Sequence, residues 1–582
     1  MFEENRLSYY INKDREISKS FENKIRVAIL SSFTVNGIEE TLRVKCSENK
    51  IQCNTYMAGY NQYNQEILDS TSSLYKFNPD ITILILDTKS ILGDLFYNPY
   101  SINEEQRKIF VKQKSTELIN LFNSFFKHSN SKLIVTNMSV PSYSVYGICE
   151  NKEKYGLQEM IYDFNNILKS FENPSLYVYD FNGFISKHGE KNVVIPRQVF
   201  FGNMIIALNY IPYLVEDFMG YVKPILGLNK KCIVLDLDNT LWGGIVGEDG
   251  FDGIQLGPNS PGNAFVEFQK LLLSLNQRGI LLSINSKNNY NDAIEVIQKH
   301  PHMILREENF ASIQINWNNK VSNMEKISEE LNLGLDSFVF FDDDPVNREF
   351  VKTTLPEIHT VQIPIDPSLY AKTLQELNDF NVLKITVEDT KRSQMYLQQK
   401  KRNELSISNS LEDFLKQLEI KVNLKNANQS TIPRISQLTL KTNQFNLRTK
   451  RYQEKEISTF SEDKNFLIRC VEVIDKFGNN GITGVFIIKK NNSKEWFLDN
   501  FILSCRVMGR KIEHSIMSHI IDEAKKENVE KLIAEFIPTT KNMPSEDFLE
   551  SCGFKKENNY WIYVLNKDFK SPEHVTIDIS NV

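Results

Sequence analysis

The chain has 582 residues, 41% apolar and 24% charged, with a net charge of −6. That length exceeds a single hydrophobic core and predicts three or four domains, and the mildly acidic balance offers no basic footprint for nucleic acid. No apolar run reaches the length of a bilayer span, the start Met1-Phe-Glu-Glu-Asn5 lacks the parts of a signal peptide, and seven cysteines without a Cys-x-x-Cys pair predict a reduced, cytoplasmic setting with no membrane partner.

In chain order, residues 1–225 alternate short apolar runs with helical patterns. Ile25–Leu30, Ile81–Leu86, Leu133–Val135 and Leu176–Tyr179 read as strands, with a long helix over about 103–127. The alternation predicts a parallel sheet covered by helices. Residues 226–375 form a second such unit. Cys232–Leu235, Gly279–Ile284 and Phe338–Phe341 read as strands. Ser260-Pro261 supplies a cap and first-turn proline for a helix burying Phe265, Phe268, Leu272 and Leu275, and Ile363–Ser368 reads as an exit linker. Residues 376–582 open with a basic helix, Lys391–Arg402, whose charges are expected to face solvent. Ser410-Leu-Glu-Asp413 reads as a capping box. Strands at Ile420–Leu424, Phe466–Ile474, Gly484–Lys489 and Trp496–Leu503 and helices near 431–441, 511–526 and 544–551 then give an α+β pattern. The expected fold class is therefore two consecutive parallel-sheet α/β domains followed by an α+β domain.

The chemistry concentrates in the middle unit. A buried strand running into Asp236-Leu-Asp238-Asn-Thr240 places carboxylates at the carboxyl edge of a parallel sheet, where open α/β folds bind ligands. Asp236 can attack phosphorus, and Asp238 can protonate the leaving oxygen and then activate water. Two carboxylates repel a phosphate, so a cation is required, and Mg2+ suits an all-oxygen site. Ser286 can bind a phosphoryl oxygen, Lys320 can neutralise developing charge, and the triplet Asp342-Asp343-Asp344 adds metal ligands. On this reading Asp236, Asp238, Asp342 and Asp343 hold the metal, and Asp236, Asp238, Thr240, Ser286 and Lys320 are catalytic.

This order of motifs resembles the haloacid dehalogenase superfamily of phosphotransferases. The block from Asp236 through Trp242-Gly-Gly244 to Gly247-Glu-Asp-Gly250, with Ser286-Lys-Asn288, Leu305-Arg-Glu-Glu308 and Asn316-Trp317, is similar to the FkbH-like family. The resemblance implies an enzyme that takes 1,3-bisphosphoglycerate, a phosphorylated three-carbon metabolite, and delivers a glyceryl unit as a thioester to a phosphopantetheinylated acyl carrier protein for polyketide-type biosynthesis. It also implies an SGNH-hydrolase-like first domain, on Leu30–Thr34 and Gly59–Gln65. Ser31 or Ser32 stands at the nucleophile's place there, but no Asp-x-x-His follows and Asp180 and His188 are spaced wrongly, so a structural or docking role is expected.

The last domain is similar to GNAT acetyltransferases at Arg506-Val-Met-Gly509-Arg510, where helix-start N–H groups would meet a pyrophosphate. The family also shows blocks like Thr442–Leu447, Asp475–Gly478 and Pro538–Asn542. Arg506, Gly509, Arg510 and, in the middle domain, Asn288 are the expected carrier- or substrate-binding residues. Many members carry a cysteine where this chain has Asn285. Cys232 reads as core. The GNAT resemblance makes Cys505 the candidate acyl-bearing thiol. It ends the strand leading into the Arg506 turn, where a thioester carbonyl would sit, and Arg506 can lower its pKa. Two other readings remain open: a phosphatase of a free metabolite, and a carrier-docking scaffold with a vestigial GNAT module.

Overall fold

The computed structural model describes residues 6–17, 20–392, 394–396, 398–399, 402, 411–442, 444–539, 542–566 and 569–580. The chain divides into two compact units, Met1–Val222 and Lys223–Val582.

The first unit is a five-stranded, all-parallel sheet. Its strands are β1 (Asn23–Ser31), β2 (Ile51–Met57), β3 (Ile81–Ile85), β4 (Lys132–Thr136) and β5 (Leu176–Tyr179), in the order β2-β1-β3-β4-β5. The sequence reading missed β2. Its Ile51 and Cys53 are buried while Asn54 is exposed, the mixed pattern of an edge strand rather than an apolar run. The long helix runs Glu104–His128 and starts at a capping box in which Asn103 and Gln106 bond each other's backbone. It buries Leu118, Leu121, Phe122 and Phe125 against the sheet.

The second unit begins with another five-stranded parallel sheet: β6 (Cys232–Leu235), β7 (Leu281–Ser286), β8 (Phe310–Ile315), β9 (Phe338–Phe341) and β10 (His359–Thr360), ordered β10-β9-β6-β7-β8. β6 is first in the chain yet central in the sheet, so connections leave it in both directions and open a crevice at its carboxyl end. Three expectations need correction here. Ser260 does not cap the next helix, which runs Gly262–Gln277 with Pro261 at its N-cap. Ser286 closes β7 rather than following it. Ile363–Ser368 is no exit linker, since Ile363, Tyr370, Leu374 and Phe380 all join the core of this sheet.

A nine-stranded sheet follows: β11 (Ile420–Asn426), β12 (Phe445–Asn446), β13 (Phe466–Asp475), β14 (Gly478–Lys490), β15 (Glu495–Leu503), β16 (Lys531–Ala534), β17 (Lys555–Glu557), β18 (Tyr560–Val564) and β19 (Val575–Ser580). Among the described residues only the pairs β15/β16 and β11/β19 are parallel; the rest are antiparallel, an α+β arrangement.

Among its described residues the basic segment before this sheet is only partly solvated, with Lys391 exposed and Met395, Tyr396 and Arg402 buried. Tyr396 joins the core formed by Cys232, Phe338 and Phe340, and Arg392 donates to Gly279 O at 3.1 Å. Arg402 is fully buried and makes two 2.8 Å hydrogen bonds to Asp475 at the end of β13. Charges enter an interior only when paired this way. Ser410, the expected cap, lies outside the described residues; its helix runs Leu411–Gln417.

Candidate active site

Asp236 is the first residue beyond β6. Its N–H donates to Phe341 O at 2.9 Å, which extends the β6–β9 pairing by one step and brings Asp236 beside Asp342 and Asp343, the first residues beyond β9. One carboxylate oxygen from each of the three lies within 4.8 Å of the others. Lys320 opens the helix Lys320–Leu331 and is 1% exposed. Its Nζ lies 2.7 Å from Asp236 Oδ1, 2.9 Å from Asp342 Oδ2 and 2.7 Å from Asn285 O.

The electrostatics follow from this crowding. Burial, then the charge of Asp236, pushes Asp342 and Asp343 up to about 6. Burial works against the Lys320 ammonium, but Asp236 and Asp342 outweigh it and hold the group above its usual value. Three carboxylates balanced by one ammonium leave a site short of positive charge, which a divalent cation held by Asp236, Asp342 and Asp343 would supply.

Three expected ligands are used otherwise. Asp238 is outside the triad: its Oδ1 accepts from Trp242 Nε1 (2.9 Å) and Val246 N (3.1 Å), and its Oδ2 accepts from Asn288 Nδ2 (2.8 Å). Asn288 therefore positions Asp238. Asp344 caps the helix Pro345–Thr354 by accepting from Val346 N at 2.9 Å. Burial raises Asp238 above the ordinary carboxylate range, against the lowering effect of its donors.

Thr240 is fully buried, and its Oγ1 has no hydrogen-bond partner among the described residues. Ser286 is 1% exposed, and its carbonyl accepts from Asn316 N. Sequence reasoning missed the role of Asn285. Its Nδ2 donates to Lys320 O (2.9 Å) and its Oδ1 accepts from Asn323 (3.1 Å), so it seats the lysine where a cysteine was expected. Nothing local to Asn285 signals this, because Lys320 is 35 residues away.

The other expected sites separate. In the first unit, Ser32 Oγ accepts from Asp87 N, Asp180 caps the helix Phe181–His188, and the His188 ring packs on Phe184, Tyr210 and Tyr213. In the last domain, Gly509 takes φ +76° ahead of the helix Ile512–Lys526. Arg510 is a correction: it is 4% exposed and donates to Asp475, Gln399 and Arg506 O, so it braces the fold instead of meeting a ligand. Arg506 donates to Ser504 Oγ at 3.4 Å. The Cys505 side chain lies outside the described residues.

The N-terminal part of the Bacteroides fragilis protein BF1531, solved with its phosphatase domain complexed with Mg, is similar at 27% identity and a TM-score of 0.59, over 65% of this chain and 99% of that one. Spermidine N-acetyltransferase SpeG from Vibrio cholerae matches 25% of this chain and 96% of its own at 14% identity and a TM-score of 0.21. No curated protein matches. Residues 26–223 match the family model of the FkbH N-terminal domain, the family to which the sequence motifs pointed.

Proposed function

We propose that the central domain is a magnesium-dependent phosphatase acting through Asp236. We further propose that the chain uses it to convert 1,3-bisphosphoglycerate into a glyceryl thioester on a phosphopantetheinylated acyl carrier protein. The observation that carries the phosphatase is the convergence of Asp236, Asp342 and Asp343 with Lys320 beside them. The magnesium-bound phosphatase domain of the similar Bacteroides fragilis structure supports the choice of metal. Bound there, magnesium would neutralise phosphoryl oxygens and let an anionic substrate approach anionic side chains.

The residues then divide the work. An Asp236 carboxylate oxygen attacks phosphorus, the bond from phosphorus to the ester oxygen breaks, and Asp238 gives that oxygen its proton. Water next loses a proton to Asp238 as its oxygen attacks the phosphoryl group, freeing inorganic phosphate and the Asp236 carboxylate. A raised Asp238 suits a group that must carry a proton near neutrality. Among the described residues its Oδ2 takes one donor, Asn288, which leaves that oxygen room for the proton. Lys320 balances the charge gathered on the phosphoryl group.

The transfer half is supported by the FkbH N-terminal match and by the family motifs. The carrier's thiol sulfur attacks the acyl-phosphate carbonyl, the carbon–oxygen bond to phosphate breaks, and phosphate leaves while the thiol proton passes to solvent. The remaining phosphate ester is the substrate for Asp236. Intact-protein mass spectrometry of the carrier, after incubation with 1,3-bisphosphoglycerate and magnesium, tests this. A glyceryl adduct with the wild type and a phosphoglyceryl adduct with Asp236→Asn are expected. Phosphate release with no carrier adduct would reduce the protein to a free-metabolite phosphatase.

A further inference from the structure

The loops beyond the carboxyl ends of the first sheet are surface segments without charge. Residues 58–65 follow β2, 139–149 lie beyond β4, and 198–205 lie further along, beyond β5. Only Ser144 among them is buried, and none is Asp, Glu, Lys, Arg or His. At the chain's average of 24% charged, about six charges are expected there.

Large apolar side chains stand in their place. Phe200 and Phe201 are each 88% exposed, Ile148 is 91% and Tyr143 74% exposed, and Tyr60 and Tyr146 are half-exposed. The helix Pro196–Gly202, which carries both phenylalanines, buries none of its own residues. A single exposed apolar residue is ordinary, whereas several on one face mark a surface made for contact.

The loops are tied to one another along that face. Asn203 ends the helix in the left-handed region at φ +50°, and its Nδ2 donates to Tyr60 OH at 2.6 Å, which joins the helix to the loop after β2. Tyr146 stacks on Tyr100 with ring centroids 3.6 Å apart, and Thr88 Oγ1 donates to Ser139 O at 2.8 Å, which joins the loops after β3 and β4. Ser142 N donates to Glu190 Oε2 at 3.3 Å, which carries the connection on toward the helix. At about 200 Å² for a full side chain of this size, the six residues expose on the order of 800 Å². That is about the area each partner buries in a stable interface of standard size.

Charge decides which partner fits. A partner recognised by charge needs a basic or acidic footprint, and these stretches offer none. A two-fold interface sets each patch against its own copy, so any charge in it would meet its like. Chains with a net charge of −6 repel one another overall, and an uncharged aromatic face is where two copies approach at least cost. We infer that the carboxyl edge of the first sheet is a self-association surface, on which a second copy of this chain seats the same loops. The inference is independent of the proposed function.

The test is sedimentation equilibrium of the full-length protein between about 0.5 and 50 µM. The wild type is expected to form a dimer that dissociates within this range. The double variant Phe200→Asp, Phe201→Asp is expected to weaken the dimer at least about 30-fold, with phosphate release unchanged. A wild type that stays monomeric throughout would overturn the surface, as would a folded double variant that dimerises as tightly. A monomer that binds a phosphopantetheinylated carrier protein, and loses it in the double variant, would give the face to the carrier and overturn the second copy. Should the double variant fail to fold, Ile148→Lys, on a different loop, is judged by the same measurement.

Discussion

Lys320 Nζ lies 2.7 Å from Asp236 Oδ1, and the lysine is 1% exposed. The contact joins the first residue of a helix to the first residue past β6 across 84 positions of chain. An ammonium so placed screens Asp236 from Asp342 and, on the proposed mechanism, then meets the phosphoryl group. Lys320→Met should lower kcat for phosphate release by about 100- to 1,000-fold. Lys320→Arg should not restore it, because the planar guanidinium has no space in a site this closed. Turnover at saturating magnesium checks both.

Magnesium should stabilise the protein against heat, by about 2.7 kcal/mol when its free concentration is 100 times its dissociation constant. Asp342→Asn and Asp343→Asn should each remove most of that gain. Asp344→Ala should keep it and instead cost about 1 kcal/mol through loss of the cap on Pro345–Thr354. Thermal melts with and without magnesium separate metal ligand from cap. Equal behaviour of the three variants would remove Asp343 from the ligand set.

The contrast within this triplet shows what the sequence could yield. Asp236, Asp342 and Asp343 were legible because the signal is local: a short apolar strand that ends in acid. Asp344 carries the same letter, and its use as a cap depends on where the next helix begins. Asn288 was read as a binding residue, and its partner in the structure is Asp238, 50 residues away. Arg402 was read as solvated and in fact pairs with Asp475, 73 residues away. No periodicity encodes such partners. Within the block Thr442–Leu447, noticed as a motif, Phe445 and Asn446 form β12 against β15, a pairing that nothing local signals.

Asp475 receives both Arg402 (Nε and Nη2, 2.8 Å each) and Arg510 (Nη1, 3.0 Å), and all three residues are buried. Replacing the acid strands two guanidiniums, whereas replacing one arginine leaves the acid still paired. Asp475→Asn should therefore cost about 3–5 kcal/mol and Arg402→Met clearly less. Loss of exchange protection in β13 and β14 is the local readout. An equal cost for the two variants would mean that Arg510 gives Asp475 no support.

Asp379 ties the end of the central domain to its edge strand, its Oδ2 lying 2.9 Å from His359 Nδ1 with Lys223 4.0 Å from Oδ1. Burial alone would raise this carboxyl, but the His359 bond and charge and the nearby Lys223 and Lys230 hold it down to about 2, against 3.8 normally. A depressed carboxylate binds protons more weakly in the folded chain than in the unfolded one. Its contribution, on the order of 2 kcal/mol, is therefore full above 3.8 and is lost as pH falls toward 2. Asp379→Asn should lower stability at pH 5 and flatten its fall between pH 4 and pH 2. Parallel acid-unfolding curves for variant and wild type in that window would show that Asp379 is not held down in the folded chain.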